Sequence, residues 1–140
     1  MVHPVELKAV LKMWSNRFFY LNIVFDLKLS TCVKTTDLNS FLITQPELIQ
    51  VSDFKFRNAP DFPVTMEIQL LHASDYTSWS DQDVSHESTN MVSIVCTKSG
   101  LDSNMLAKKL FVEIARFLNW QLIDEHTDDG IENHILWKPS

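Results

Sequence analysis

Residues Phe19–Leu29 read FYLNIVFDLKL, with phenylalanine, leucine or isoleucine at every odd-numbered position. An extended strand points successive side chains to opposite faces, so these apolar side chains would share one face. The alternation continues over eleven residues and is the strongest local pattern in the chain. It therefore predicts a long strand with one buried face.

Five shorter stretches also predict strands, because apolar residues alternate there with polar ones or lie between turn residues. They are Asp53–Arg57, Val64–His72, Met91–Thr97, Trp120–Glu125 and Ile131–Trp137. Asp128-Asp129-Gly130 separates the last two strands and predicts a hairpin turn, since glycine tolerates a positive φ.

Two stretches, Pro4–Phe18 and Asn104–Leu118, have the 3/4 spacing of amphipathic helices instead. The apolar side chains that share a face are Leu7, Val10, Leu11, Trp14 and Phe18 in the first, and Leu106, Leu110, Ile114, Phe117 and Leu118 in the second. Asp102 or Ser103 is predicted to cap the second helix. Residues 35–60 show no regular pattern beyond the short strand and a helical turn at Pro46.

Polar loops join the predicted strands, which favours antiparallel pairing. The fold class predicted for residues 1–140 is therefore α+β, as a single domain. Its parts are a mainly antiparallel sheet, an N-terminal helix, one long amphipathic helix packed on the sheet, and a final β-hairpin. A chain of 140 residues with 45% apolar residues can bury a substantial core without a disulfide or a metal.

Composition excludes several classes of function. Only two glycines are present, whereas phosphate-binding loops and dinucleotide fingerprints need several. Cys32 and Cys96 are 64 positions apart, form no CxxC pair, and are predicted to be buried and reduced. The N-terminal residues do not resemble a signal peptide, and no apolar run has the length of a membrane span. We therefore expect a cytoplasmic protein with no cofactor and no membrane partner.

Charge is unevenly distributed along the chain. Residues 1–60 carry seven basic and five acidic side chains, whereas residues 61–140 carry five basic and thirteen acidic ones. This asymmetry disfavours direct binding to nucleic acid, whose phosphates would be repelled. It favours a basic protein partner.

Two acidic stretches are the candidate partner-binding surface. The polar loop from Ala73 to Asn90 contains no lysine or arginine, and aromatic residues among carboxylates are typical of anchors that enter a partner's pocket. The alternative is a solubilising loop whose Trp79 folds back onto the core. Its candidate residues are Asp75, Tyr76, Trp79, Asp81, Asp83 and Glu87. Those of the C-terminal hairpin are Asp124, Glu125, Asp128, Asp129 and Glu132. The two stretches would form one acidic face if they lie at the same end of the sheet, and two separate solvated edges otherwise.

Other chemistry is less well supported by the sequence. His126, Asp128 and His134 are acceptable metal ligands, but no HxH or HExxH spacing holds two of them together, so we predict no metal site. Adjacent carboxylates at a turn shape the turn more often than they catalyse. Ser85-His86-Glu87 is not a triad, because triad members are brought together by the fold rather than by adjacency. We therefore predict no catalytic residues and no enzyme activity.

The C-terminal half has a helix at Asn104–Leu118, an aromatic-led strand at Asn119–Glu125 and an acidic turn. In this order, which covers about a third of the chain, it resembles small acidic immunity proteins of bacterial contact-dependent growth inhibition and other polymorphic toxin systems. The resemblance implies a non-enzymatic protein that binds a toxin domain, commonly a nuclease, and blocks its active site. It leaves the oligomeric state open.

Two alternatives remain at the level of sequence. One is a non-catalytic assembly or adaptor subunit, such as a phage or secretion accessory protein. Such a subunit would act through an apolar surface on the first helix or at Phe41-Leu42-Ile43. The other is a small hydrolase that uses His72, His86 or His126 as a base.

Overall fold

The computed structural model of the protein describes residues 17–140. Within this range the chain forms nine strands and two helices. The strands are β1 (Phe18–Val24), β2 (Val33–Lys34), β3 (Leu48–Ser52), β4 (Lys55–Asn58), β5 (Met66–Leu71), β6 (Ser88–Thr89), β7 (Met91–Thr97), β8 (Gln121–His126) and β9 (Glu132–Trp137). The helices are α1 (Thr35–Ile43) and α2 (Leu101–Leu118).

Seven strands form one antiparallel sheet in the order β3-β4-β5-β7-β1-β8-β9, and β2 pairs separately with β6. The predicted α+β class with a long helix late in the chain and a final hairpin is confirmed. β1 pairs with β7 on one side and with β8 on the other, so it lies inside the sheet. All five residues of 20–24 are buried, which means that β1 contributes to the core on both faces.

β1 is shorter than the alternation of Phe19–Leu29 predicts, since it ends at Val24. The Asp26 carboxylate accepts hydrogen bonds from the Ser30 backbone N–H and hydroxyl, and Leu29 has a φ of 55°. An aspartate that bonds its own backbone a few residues ahead favours a turn over a strand. Phe25 and Leu27 are consequently exposed.

Both helices cover the face of the sheet that carries Ile23, Ile68 and Ile94. α2 buries Ala107, Leu110, Phe111, Ile114, Ala115 and Leu118. α1 contributes Leu38 and Leu42. Each of the larger side chains stabilises the fold by about 1.5–3 kcal/mol relative to an exposed position.

Several predicted details of the helices were wrong. α2 begins at Leu101 rather than Asn104, and its N-cap is Gly100, with neither Asp102 nor Ser103 capping it. Leu106 and Phe117 are exposed instead of buried. α1 and β3 were not predicted, because the apolar residues of 35–52 do not recur with the regular spacing of a helix or of a strand. The predicted Pro4–Phe18 helix lies outside the described residues, except that Arg17 is in a turn and Phe18 belongs to β1.

The loop between β5 and β7 covers part of the opposite face of the sheet. A second apolar cluster forms there from Val24, Leu71, Ala73, Tyr76, Trp79, Met91 and Ile123. The long polar loop therefore supplies a core layer, in agreement with the alternative in which Trp79 folds back onto the core. β6 lies within this loop and, with β2, connects it to the start of α1.

The two cysteines differ in their surroundings. Cys96 is buried as predicted, and burial raises the pKa of its thiol to about 11. Cys32 is exposed, so the prediction that both thiols are buried was wrong. It lies in the connection that leads from β1 to β2, outside both core clusters. Among residues 17–140, no helix is long and apolar enough to cross a membrane.

Candidate binding surface at the acidic hairpin

The acidic hairpin, residues 124–134, comprises the second half of β8, the turn and the start of β9. The Thr127 backbone N–H donates to the Ile131 carbonyl at 2.9 Å, and the Thr127 hydroxyl accepts from the Ile131 N–H at 2.9 Å. Gly130 has a φ of 88°, a conformation that glycine adopts without strain. The predicted turn is confirmed. Both the backbone N–H and the hydroxyl of Thr127 stabilise it by hydrogen bonds to Ile131.

The five carboxylates of the hairpin differ in exposure. Asp124 is only 7% exposed and accepts a hydrogen bond from the His126 backbone N–H at 3.2 Å. Glu125 is half-buried and accepts from the Asn22 side-chain amide at 3.3 Å. Asp128, Asp129 and Glu132 are exposed. A partner can therefore reach three of the five fully.

Each exposed carboxylate of the hairpin contacts a nearby side chain, but these contacts leave the hairpin with a negative net charge. Asp128 pairs with Lys98, and Glu132 lies 2.5 Å from the His126 ring. The Thr127 hydroxyl donates to Asp129 and holds the pKa of that carboxyl below its usual range. Ion pairs at the protein surface contribute little to stability, so a better-placed cation can replace the partners of Asp128 and Glu132.

The residues that were considered as metal ligands, His126, Asp128 and His134, do not form a cluster. Asp124 and His134 are cross-strand neighbours, and His126 faces Glu132. In the part of the chain that the structure describes, no three histidine, cysteine or carboxylate side chains are arranged to hold a metal ion. Asp128 instead turns toward Lys98.

The loop and the hairpin turn lie at opposite ends of the sheet. The loop starts and finishes beside Leu71 and Met91, which are paired at one end. The hairpin turn lies at the other end, where Asp128 contacts Lys98 just after β7. The condition for a single acidic face at one end of the sheet is therefore not met.

Tyr76 and Trp79 are not exposed anchors. Tyr76 is 7% exposed and Trp79 is 6% exposed, since both lie in the second apolar cluster. Burying two large aromatic side chains is favourable enough to offset the free-energy cost of folding the polar loop back onto the sheet. The interpretation of these two residues as pocket-filling contacts must be corrected to a role in holding the loop on the sheet.

Tyr76 nevertheless connects the loop to the hairpin. Its hydroxyl accepts from the Asn22 amide at 3.0 Å and donates to Asn133 Oδ1 at 3.0 Å. Burial, together with the nearby carboxylates of Glu125, Glu132 and Asp124, raises the pKa of Tyr76 to about 12, although the Asn22 hydrogen bond acts in the opposite direction. The loop thus crosses one face of the sheet and contacts the acidic hairpin there.

The four loop carboxylates are distributed along this path. Asp75 is exposed next to Tyr76 and accepts from the Thr77 N–H at 3.3 Å. Asp83 is half-buried and accepts from the Ser80 N–H at 2.8 Å, which closes a tight turn near the end of β5. Asp81 and Glu87 are exposed. Only Asp75 therefore lies directly beside the residue that contacts the hairpin.

The candidate histidines of a hydrolase are separated. His72 Nδ1 lies 2.9 Å from the Ser88 hydroxyl; His72 is exposed and Ser88 is half-buried. In a Ser-His-Asp triad, a carboxylate bonds to the second ring nitrogen and orients the histidine. Among the described residues, no carboxylate hydrogen-bonds to Nε2 of His72. His86 packs against Phe54, with ring centroids 4.8 Å apart. His126 is engaged with Glu132.

Sequence reasoning missed Asn22, Asn133 and Lys98, which position the hairpin. Asn22 is a polar residue between Tyr20 and Val24 on the second face of β1. This position was the sequence feature that could have identified it. Asn133 has a φ of 51°, a conformation for which asparagine is among the favoured residues. Lys98 follows β7 directly and lies 5.0 Å from the centre of the Phe19 ring. Their roles depend on contacts between segments far apart in sequence.

Comparison with protein-family models, with curated proteins and with solved structures found no match to this chain.

Proposed function

We propose that this protein is a non-enzymatic inhibitor that binds a basic protein partner and blocks its active site, as an immunity protein does against a toxin domain. The observation that carries the proposal is the acidic hairpin. Asp128, Asp129 and Glu132 are exposed within five residues, on the turn and at the start of β9, the edge strand of a seven-stranded sheet. A nuclease domain, whose active site must hold phosphate, is the partner class that this surface suits best.

The rigidity of the hairpin supports this role. β8 pairs with β1 inside the sheet, and Tyr76 holds the start of β9 through Asn133. A preorganised surface loses less conformational entropy on binding than a mobile acidic tail does. Opposite charge would accelerate association and select basic partners over neutral ones.

Inhibition by occlusion requires only that the hairpin occupies the basic cleft. Asp128 and Asp129 would approach lysine or arginine side chains that otherwise hold the substrate phosphates. No bond is made or broken in such a mechanism. Buried Asp124 and half-buried Glu125 would act at longer range, by adding to the negative potential of the same surface.

The decisive experiment is to capture binding partners from the source cells at low salt and to elute them with a salt gradient. We expect a basic protein that is retained at about 50 mM salt and released well below 1 M, because exposed charges are screened over that range. The eluted protein is then assayed for nuclease activity with and without the purified inhibitor. A partner that stays bound at high salt would favour an assembly or adaptor subunit with an apolar interface.

Charge reversal locates the contact. Asp128→Lys with Asp129→Lys should weaken binding at least tenfold, whereas Asp53→Lys with Asp61→Lys, which changes the net charge equally, should not. Asp53 and Asp61 are exposed in loops that flank β4, near the edge opposite to β9. If both double variants weaken binding equally, only net charge matters and the hairpin is not the contact surface.

A further inference from the structure

The acidic hairpin contains two of the five histidines of the chain, His126 and His134, and both are exposed. Histidine is the side chain that ordinarily changes charge between pH 5 and 8, whereas carboxylates ordinarily stay ionised through this range. The charge of the hairpin in that interval therefore depends on these two rings.

Each histidine lies opposite a carboxylate in the pairing of β8 with β9. His126 is opposite Glu132, and its Nδ1 is 2.5 Å from the Glu132 carboxylate. His134 is opposite Asp124. Asp124 and His126 are two residues apart on β8, so the two pairs are neighbours on one face of the hairpin. A proton taken up by either ring is therefore gained beside a carboxylate of the acidic hairpin.

His134 also acts on the turn. The pKa of Asp129 is below its usual range mainly because the Thr127 hydroxyl donates to this carboxylate, and the charge of His134 makes a smaller contribution in the same direction. A protonated His134 therefore offsets part of the negative charge at the turn as well as that of Asp124.

The other charged groups of the hairpin do not compensate for this change. Asp128 already pairs with Lys98, whose charge is constant over this pH range. Glu125 extends to the opposite face, where it accepts from Asn22. The five carboxylates of residues 124–134 give a charge of −5 when both rings are neutral, and two added protons reduce it to −3.

We propose that His126 and His134 make the binding of a basic partner pH-dependent, so that the protein holds its partner near neutral pH and releases it as the medium becomes mildly acidic. The inference rests on the proposed function, because it concerns regulation of the same hairpin. A protonated His126 forms an ion pair with Glu132 and so competes with the partner for that carboxylate. Each imidazolium also repels the lysine and arginine side chains of the partner.

Binding of a short oligolysine peptide at two pH values tests the proposal. The charge of this probe is constant between about pH 7.5 and about pH 5.5, so the pH response comes from the protein alone. Calorimetric titration of the full-length chain at low salt gives the Kd at each pH. The wild-type protein is compared with His126→Gln with His134→Gln, and with the matched control His72→Gln with His86→Gln. The control residues are exposed and lie outside the hairpin.

We expect the wild-type protein and the control to bind the peptide roughly threefold to tenfold more weakly at the lower pH, since two added surface charges repel it. The hairpin variant should lose most of this difference. An equal pH response in all three proteins, or none in the wild-type protein, would overturn the proposal.

Charge reversal separates this inference from the proposed function. If Asp128→Lys with Asp129→Lys leaves peptide binding at about pH 7.5 unchanged, the hairpin is not the contact surface and both proposals fail. If that variant binds weakly while the hairpin histidine variant still follows the wild-type protein as the pH falls, only the pH response is refuted. Circular dichroism at both pH values confirms that each variant compared is folded.

Discussion

At the scale of single residues, the Tyr76 hydroxyl is the centre of a small polar network. It is buried, accepts one hydrogen bond from Asn22 and donates another to Asn133, and lies near three carboxylates. One atom thus joins the central strand β1, the long loop and the edge strand β9. Asn22 is itself 1% exposed, and its Oδ1 accepts no hydrogen bond from the described residues.

Removing that hydroxyl should destabilise the fold. We expect Tyr76→Phe to lower the free energy of unfolding by about 1–3 kcal/mol, because the buried amide of Asn22 and the half-buried amide of Asn133 lose a partner. Urea unfolding followed by circular dichroism measures the change. Ser78→Ala removes an exposed hydroxyl from the same loop and should change stability by less than about 0.5 kcal/mol. Equal effects of the two substitutions would contradict a structural role for the network.

The same tyrosine should make stability depend on pH in the alkaline range. Its pKa is raised from 10.0 to about 12 in the folded state, so the unfolded state loses the proton first. The stabilising contribution is complete below pH 10 and is lost as the pH rises through about 12. We expect urea midpoints of the wild-type protein to fall between pH 9.5 and about 11.5, and to fall less steeply in Tyr76→Phe. Parallel pH profiles would contradict the assignment.

At the scale of elements, β1 and α2 form the centre of the larger core. β1 is buried on both faces, and α2 places Ile114 at 0% exposure against the sheet. α1 reinforces α2 through Phe41, which stacks on Phe117 with ring centroids 4.1 Å apart. The stability of this layer therefore depends on close packing of a few fully buried side chains.

Graded truncation of Ile114 tests this packing. We expect Ile114→Val to cost about 0.5–1.5 kcal/mol and Ile114→Ala about 2–5 kcal/mol, since the cavity grows with each methyl group removed. Ile43 ends α1 and is 60% exposed, so Ile43→Ala should cost far less. Chemical unfolding of the three variants gives the comparison. Similar values for Ile114→Ala and Ile43→Ala would mean that α2 does not pack as described.

At the scale of the whole molecule, both edges of the sheet are irregular. The pairing of β3 with β4 shifts between Gln50 and Ser52, and that of β8 with β9 shifts between Leu122 and Ile123. On β9 the extra residue is Leu136, since Ile135 pairs with Ile123 and Trp137 with Leu122. Bulges at edges bend the strand and hinder pairing with a second chain.

Deleting Leu136 should restore a regular edge while keeping both flanking pairs in register. We expect this variant to associate as its concentration rises, because β9 would then offer a straight edge to a second molecule. Leu136→Ala removes the side chain but keeps the bulge, so it should behave like the wild-type protein. Sedimentation velocity at several concentrations distinguishes them. If the deletion variant and Leu136→Ala sediment alike, the bulge does not control association.

The sequence by itself determined the local elements with clear periodicity. The alternation in Met91–Thr97 predicts β7 with the bounds that the structure has, and the spacing of Leu110, Ile114 and Leu118 predicts the buried side of α2. Gly130 marked the hairpin turn correctly. These features depend on neighbours within a few residues, so a local pattern is sufficient to encode them.

Only the tertiary structure decided what covers each face of the sheet. The composition of Ala73–Asn90 indicates a solvated loop, yet Tyr76 and Trp79 are buried in it because Val24, Leu71 and Met91 lie opposite them. Likewise, Lys98 meets Asp128 and Asn22 meets Tyr76 across large sequence separations. Burial and pairing at these sites depend on which distant segments become neighbours, and that is a property of the assembled sheet rather than of any local stretch.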